Sequence, residues 1–167
     1  MGNDRYLTAS VFKNELVVHI REYDGGEYPT RKRTCFVKAR WATFVKYLDE
    51  IDEAVRLLKD QKSVDYSQHL GGILYVTVST GVKCINIRKF YLPPHCKKEM
   101  PTRTGISLRI GEWDTLLDKI NELHQQFPEL KTAKPCFAQD NHLSPSVYNK
   151  CAECNPFGVE TYGLYNV

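Results

Sequence analysis

The sequence predicts an α+β protein: two ββββα repeats, each a curved antiparallel sheet followed by a helix, packed as an intramolecular pseudo-dimer and followed by an irregular C-terminal segment. Three observations lead there. Pro29-Thr30-Arg31, with Trp41 ten residues after the Arg, returns as Pro101-Thr102-Arg103 with Trp113 at the same interval. Upstream of each copy lies an apolar run ending in Ile-Arg and aromatics, Leu16 to Tyr23 in the first and Lys83 to Tyr91 in the second. Downstream of each Trp, apolar residues recur every three or four positions instead of every second one. A period of about 70 residues is too long for a solenoid unit and suits a small domain. The expected boundaries are 1–62 for the first repeat, 63–71 for a polar linker, 72–130 for the second repeat and 131–167 for the tail.

Residues 5–12 and 15–23 are rich in Tyr, Val, Ile and Leu, and Lys13-Asn14 between them reads as the tight turn of a β-hairpin. Asp24-Gly25-Gly26 ends the second strand, and a short strand over 28–37, broken near Arg33, should follow. Trp41, Phe44, Leu48, Ile51, Val55 and Leu58 then trace one apolar seam along a helix. In the second repeat, strands over 72–79 and 82–91 flank a Thr80-Gly81 turn, Pro93-Pro94 opens a longer connection, and 100–109 returns as a strand. A helix from Gly111 to Phe127 carries Trp113, Leu116, Leu117, Ile120 and Leu123, and Pro128 stops it. An isolated unit of about 60 residues with one helix over a small sheet is marginal. Two units whose helices pack antiparallel can cover each other.

Composition narrows the function. The 167 residues are 42% hydrophobic and 26% charged, which suits a folded domain; no apolar run is long enough to span a membrane, and no signal peptide precedes the first repeat. An intracellular setting follows as the expectation, in which the six Cys are thiols or metal ligands instead of a disulfide framework. The net charge of +3 is uneven: residues 133–167 hold two Lys against three acids, leaving +4 on residues 1–132. No G-x-S-x-G, P-loop or H-E-x-x-H is present and the five His are scattered, so no catalytic activity is expected.

Several of these blocks together resemble one family. Arg5-Tyr6-Leu7-Thr8 through Phe12-Lys13, Val18 to Tyr23, Arg31-Lys32, Trp41 and Asp49 to Arg56 are similar to the C-terminal domain of the eukaryotic transcriptional coactivator positive cofactor four. Pro101 to Leu108 with Glu112-Trp113 resembles the Arg-Lys-Gly-Ile-Ser-Leu segment of that family. The resemblance implies a ββββα domain that dimerises through its helix and binds single-stranded or melted DNA along curved sheet ridges. Carried over position by position, it implies contacts from Phe12, Lys13, Arg21, Tyr23, Arg31 and Lys32 in the first repeat, and from Arg88 and Arg103 in the second. Ser79 and Thr80 stand where the aromatic-Lys pair belongs, and Thr104 replaces the Lys after the Arg. Equal binding by the two halves is therefore not expected.

The chemistry agrees. Single strands are held by cations tracking phosphates and by aromatic faces on which bases stack; Phe12, Tyr23, Phe90 and Tyr91 each lie within two residues of an Arg or Lys. About four phosphate contacts would cost roughly fifty-fold in affinity between 50 and 200 mM salt. Trp41 and Trp113 read as packing anchors, and Cys35 and Cys84 as core residues of apolar strands. In the tail, Cys151-Ala152-Glu153-Cys154 has the spacing that lets two thiolates grip one ion, and Cys136 with His142 completes a four-ligand set for structural zinc. Free thiols, a redox pair or simple packing are the alternatives. Tyr162-Gly163-Leu164-Tyr165 is expected to dock as an extra strand or to pack onto the sheet, with no signal that fixes where. The functional expectation is a non-enzymatic, nuclear single-stranded DNA-binding factor of transcription or genome maintenance. RNA binding, and a protein-interaction module that recruits transcription-machinery proteins, are the alternatives.

Overall fold

Alternating apolar and polar residues build the first sheet. In the computed structural model, which describes residues 4–158, Arg5–Phe12 (β1), Glu15–Asp24 (β2) and Tyr28–Val37 (β3) form an antiparallel meander in that order. Lys13 and Asn14 both take left-handed backbone, with φ of 50° and 63°, as a two-residue hairpin turn of this twist demands. Val18, Ile20 and Phe36 are buried on one face, whereas His19, Arg21 and Cys35 alternate onto the other. Cys35 is thus exposed, not a core residue. Strand β3 is also not broken near Arg33: Arg21 pairs with Arg33 and Tyr23 with Pro29, so residues 30–32 bulge opposite Glu22.

Asp65–Gly71 (β4), Leu74–Ser79 (β5), Val82–Tyr91 (β6) and Met100–Arg109 (β7) form the second sheet, order β4-β5-β6-β7. The linker expected over 63–71 is therefore mostly an edge strand. Its Ser67 and His69 alternate with Tyr66, Gln68 and buried Leu70, and a strand with one wet face has the composition of a connector. The second half has four strands; the first has three among the described residues, instead of the four expected in each.

The expected seam helix is split into Lys38–Lys46 (α1) and Leu48–Lys59 (α2). At Tyr47 the N–H is shared between the Thr43 and Phe44 carbonyls (3.3 and 3.2 Å), a local tightening of the spiral. The seam survives: Trp41, Phe44, Ile51, Val55 and Leu58 are buried, and Leu48 partly so. Ile110–Gln126 (α3) carries Trp113, Leu116, Ile120 and Leu123 into the interior, and Pro128–Lys131 (α4) follows directly. No helix among the described residues is long and apolar enough to cross a membrane. Residues Tyr162 to Tyr165, expected to dock on the sheet, lie outside the described residues.

One core joins the halves. Phe36, Trp41 and Phe44 cluster at 5.3–5.6 Å between ring centroids, and Trp113 meets Phe44 edge-on at 6.2 Å and 88°. Each indole is satisfied from the opposite half: Trp41 Nε1 donates to His124 Nε2 and Trp113 Nε1 to Asp52 Oδ1, both at 3.0 Å. Burial, then Lys131, lowers the His124 pKa, which keeps the ring neutral and able to accept. Helix α2 lies on β4 and β5, while α3 touches β1 as well as β6 and β7.

A buried ionic network closes the same seam. Arg5 donates to Glu22 from Nε and Nη2 (2.9 and 2.7 Å), and from Nη1 to the Ser107 carbonyl and Glu112 (2.6 and 2.5 Å). Glu112 is 6% exposed and also accepts the Arg109 N–H at 2.7 Å, so it caps α3 while Arg5 neutralises it. Replacing Arg5 with Ala removes the cation beside a buried carboxylate and should cost about 3–5 kcal/mol in urea unfolding. Lys32→Ala removes the largely exposed partner of Glu22 and should cost less than about 1 kcal/mol. Equal losses would show that burial does not set the worth of this network.

Candidate nucleic-acid interface and Cys/His cluster

The wet face of the first sheet does not end in open solvent. Strands β3 and β7 come alongside each other, and the second sheet supplies the far wall of a groove of about 860 Å³. Thr8, Ser10 and Phe12 of β1, His19, Arg21 and Tyr23 of β2, and Arg33 and Cys35 of β3 line it; Arg40, Leu74, Lys89, Thr104 and Gly105 complete it. Four of these residues are cations and none is an acid. Gly105 is required where it stands. Its φ is +150°, and a Cβ would enter the Ile87 carbonyl and lie 2.6 Å from Arg88 Cα.

The groove is electropositive. Arg21 Nε is buried and has no hydrogen-bond partner among the described residues. Burial, then the charges of Arg21 and Arg33, lowers the pKa of His19, whose Nε2 lies 3.0 Å from Ser10 Oγ. Burial raises the Cys35 thiol against the opposing pull of nearby Arg and Lys. Arg40 is the cation already committed: Glu153 accepts from its Nε at 2.8 Å and from its Nη2, which raises its pKa against the cost of burial.

Of the residues expected to bind, Phe12, Arg21 and Tyr23 share this groove. Phe12 is 63% exposed, with Lys13 Nζ at 5.6 Å from its ring centroid at the hairpin tip; Tyr23 is half-buried edge-on to Tyr6 at 5.4 Å. Arg31 and Lys32 sit exposed on the bulge, outside the groove lining, and Lys32 Nζ reaches Glu22 at 2.9 Å. In the second half the residues are not brought to this groove. Arg88 donates to Asn86 Oδ1 and Ser107 Oγ (3.1 and 2.5 Å), Phe90 packs against Tyr75 at 4.7 Å with the rings tilted by 40°, and Arg103 is exposed on β7.

The contrast between the two Ile-Arg positions has a local cause. Across β6 and β7, Asn86 faces Ser107; across β2 and β3, His19 faces Cys35. The first pair offers oxygen acceptors to its Arg and the second offers none. Sequence reading missed His19, Arg33, Cys35, Arg40 and Lys89 as lining residues. The first three were readable, since they alternate with or pair across from Arg21; Arg40 and Lys89 arrive only through tertiary packing.

The tail brings its four expected residues together. It runs through short 3-10 turns at Cys136–Ala138 and Asp140–His142 and a helix Pro145–Lys150 (α5), and the ligand atoms of Cys136, His142, Cys151 and Cys154 all lie within 4.8 Å of one another. Cys136 Sγ is 3.7 Å from His142 Nε2 and 3.8 Å from Cys151 Sγ. Zinc–sulfur bonds of about 2.3 Å place tetrahedral sulfurs about 3.8 Å apart. His142 Nδ1 meets Asn141 Oδ1 at 2.7 Å, which with Nδ1 protonated leaves the Nε2 lone pair for a metal. Burial would raise the Cys151 thiol, but hydrogen bonds from His142 and from the Cys154 and Glu153 backbone outweigh it and lower the pKa to about 7. Burial and the neighbouring Cys136 push Cys154 up to about 12. The donor set suits a tetrahedral metal ion.

Comparison with known proteins gives one family match and two relatives. Residues 69–119 match the family described as Transcriptional Coactivator p15 (PC4). A Caenorhabditis elegans protein described as an RNA polymerase II transcriptional coactivator is 36% identical over 78 residues, covering 46% of this chain and 62% of that protein. The RNA polymerase II transcriptional coactivator KELP of Arabidopsis thaliana is 34% identical over 64 residues, covering 36% and 39%. The chain thus spans less than two thirds of either relative. No solved structure matches with comparable significance. The match runs from the end of β4 through β5, β6 and β7 into α3. Residues 69–119 of this chain are thus similar to the transcriptional coactivator p15 (PC4) family.

Proposed function

We propose that this protein binds single-stranded or melted DNA in the groove between its two sheets and acts, without catalysis, as a nuclear transcriptional coactivator. One observation carries the reading: among the described residues, the groove gathers Arg21, Arg33 and Lys89 with the aromatic faces of Phe12 and Tyr23, is lined by no acid, and holds a buried Arg21 Nε with no partner. A phosphate oxygen supplies the acceptor that Arg21 lacks, and a base stacks on the exposed face of Phe12. The two halves are read as tandem copies of one unit forming a pseudo-dimer within the chain, supported by the repeated Pro-Thr-Arg…Trp pattern and by the reciprocal indole bonds across the seam. Arg31, Lys32, Lys13 and Arg103 extend the contact outside the groove, while Arg88 and Phe90 serve the second sheet's own packing.

Fluorescence anisotropy with a labelled single strand of 20 nucleotides tests this. Three groove cations predict a slope of about −2 in log affinity against log salt, or roughly twenty-fold weaker binding at 200 than at 50 mM. Phe12→Ala should cost about 1–3 kcal/mol of binding, and Arg21→Ala should flatten the slope by about 0.7. Salt-insensitive or absent binding overturns the proposal. Stronger binding of RNA of the same length would move the substrate to RNA.

The pH dependence has a definite sign. His19 is depressed in the free protein, and phosphate entering beside it favours the imidazolium and raises its pKa. Binding therefore takes up a proton, and affinity should rise as pH falls from 8 towards 5.5. In His19→Gln that rise should shrink.

We also infer that Cys136, His142, Cys151 and Cys154 hold one structural zinc ion, since the four protein donors leave no open coordination position. Elemental analysis of the purified protein should find one zinc per chain. No zinc after reconstitution with the metal would end this reading.

A further inference from the structure

The Cys/His cluster is seated against the rest of the protein by residues lying between and beside its ligands. Glu153, inside the Cys151–Cys154 knuckle, grips Arg40 of α1 with its carboxylate. Its carbonyl accepts the Gly72 N–H at 2.8 Å, in the turn between β4 and β5. That turn is shaped for the contact. Gly71 and Gly72 have φ of +122° and +54°, and a Cβ on Gly71 would come within 2.8 Å of Arg40 Cγ and 2.9 Å of the Glu153 carboxylate. On the other flank, Phe137 follows Cys136 and lies under Lys46 of α1, 4.8 Å from Nζ to ring centroid.

What holds this segment in shape is not apolar burial. Among the described residues, the buried core ends at Leu130. The Arg40–Glu153 pair is itself a quarter to a third exposed, and a lone ion pair of that kind orders little chain. Four ligands on one ion supply the missing constraint, because a segment without a core of its own folds when metal binding fixes its ligands.

We propose that the zinc knuckle is a clasp: the ion sets the shape that presents Glu153 to Arg40 and Gly72, fastening the C-terminal segment across α1 and the β4–β5 turn. The clasp rests on the zinc reading above, and it has a consequence for the groove. Arg40 lines that groove, and while Glu153 holds it the side chain is a neutralised wall. With the metal gone, the knuckle loses its shape, Glu153 leaves, and a fourth unpaired cation faces the groove.

The test uses the full chain loaded with zinc, with amide exchange read by NMR. A strong chelator should strip the metal and speed exchange of the Gly72 amide at least tenfold, while Ile87, in the interior of the second sheet, keeps its protection. Zinc-loaded Glu153→Gln should retain one zinc per chain, and its single-strand salt slope should steepen by about 0.7 as Arg40 joins the phosphate contacts. Unchanged Gly72 exchange after the zinc has left overturns the clasp, as does a variant slope identical to that of the parent. If no zinc binds, the metal reading falls and takes the clasp with it. If zinc binds but no single strand does, only the groove reading falls, and Gly72 exchange decides the clasp.

Discussion

Everything in this molecule depends on burying two tryptophans whose indole N–H groups must find acceptors. Neither can be satisfied inside its own half. Trp41 reaches His124 and Trp113 reaches Asp52, so the hydrogen bonds that make burial affordable run across the seam in both directions. An unpaired buried donor costs about 1–3 kcal/mol, a large share of the stability of a domain this size. The seam is thus specified by polar geometry as well as by apolar area. Helices α2 and α3 each reach strands of the other sheet, and the Arg5 network draws β1 onto the cap of α3.

That seam also creates the groove. A small sheet alone shows one wet face to solvent; here the second sheet stands beside it, and the residues alternating with Val18 and Ile20 become the floor of a cleft. Desolvation then acts on them. His19 stays neutral and Arg21 keeps a buried nitrogen without a partner among the described residues. Exposed cations on the bulge, such as Arg31, lie in a wet environment where each charge is worth less.

Much of the fold was legible in the sequence because its signals are local. Lys13-Asn14 and Thr80-Gly81 mark turns, the switch of period at Trp41 and Trp113 marks the helices, and Pro128 ends the last long one. Strand β4 was read as a connector because Ser67 and His69 dominate its composition, although Tyr66 and Leu70 already alternate with them. The split at Tyr47 leaves the apolar spacing intact and so has no sequence signature. Cys35 was placed in the core from the apolar character of its strand, where counting parity from Val18 through the paired register puts it on the wet face. The groove was half legible: Phe12, Arg21 and Tyr23 follow from the strand pattern, whereas Arg40 and Lys89 depend on how distant elements meet. In the tail, spacing singles out Cys151 and Cys154, while Cys136 and His142 stand out by residue type; the fold brings all four together.

The unequal treatment of Arg21 and Arg88 has a directional meaning. An assembly of two identical chains about a twofold axis presents the same residues at both ends, and a linear ligand laid across it can be reversed without penalty. On the tandem reading proposed above, one chain carries both units. Asn86 and Ser107 accept from the guanidinium in one, while His19 and Cys35 offer it no oxygen acceptor in the other. An elongated ligand with a chemical head and tail would find unlike ends, and its orientation would be written into the protein by two neutral side chains that need never touch it.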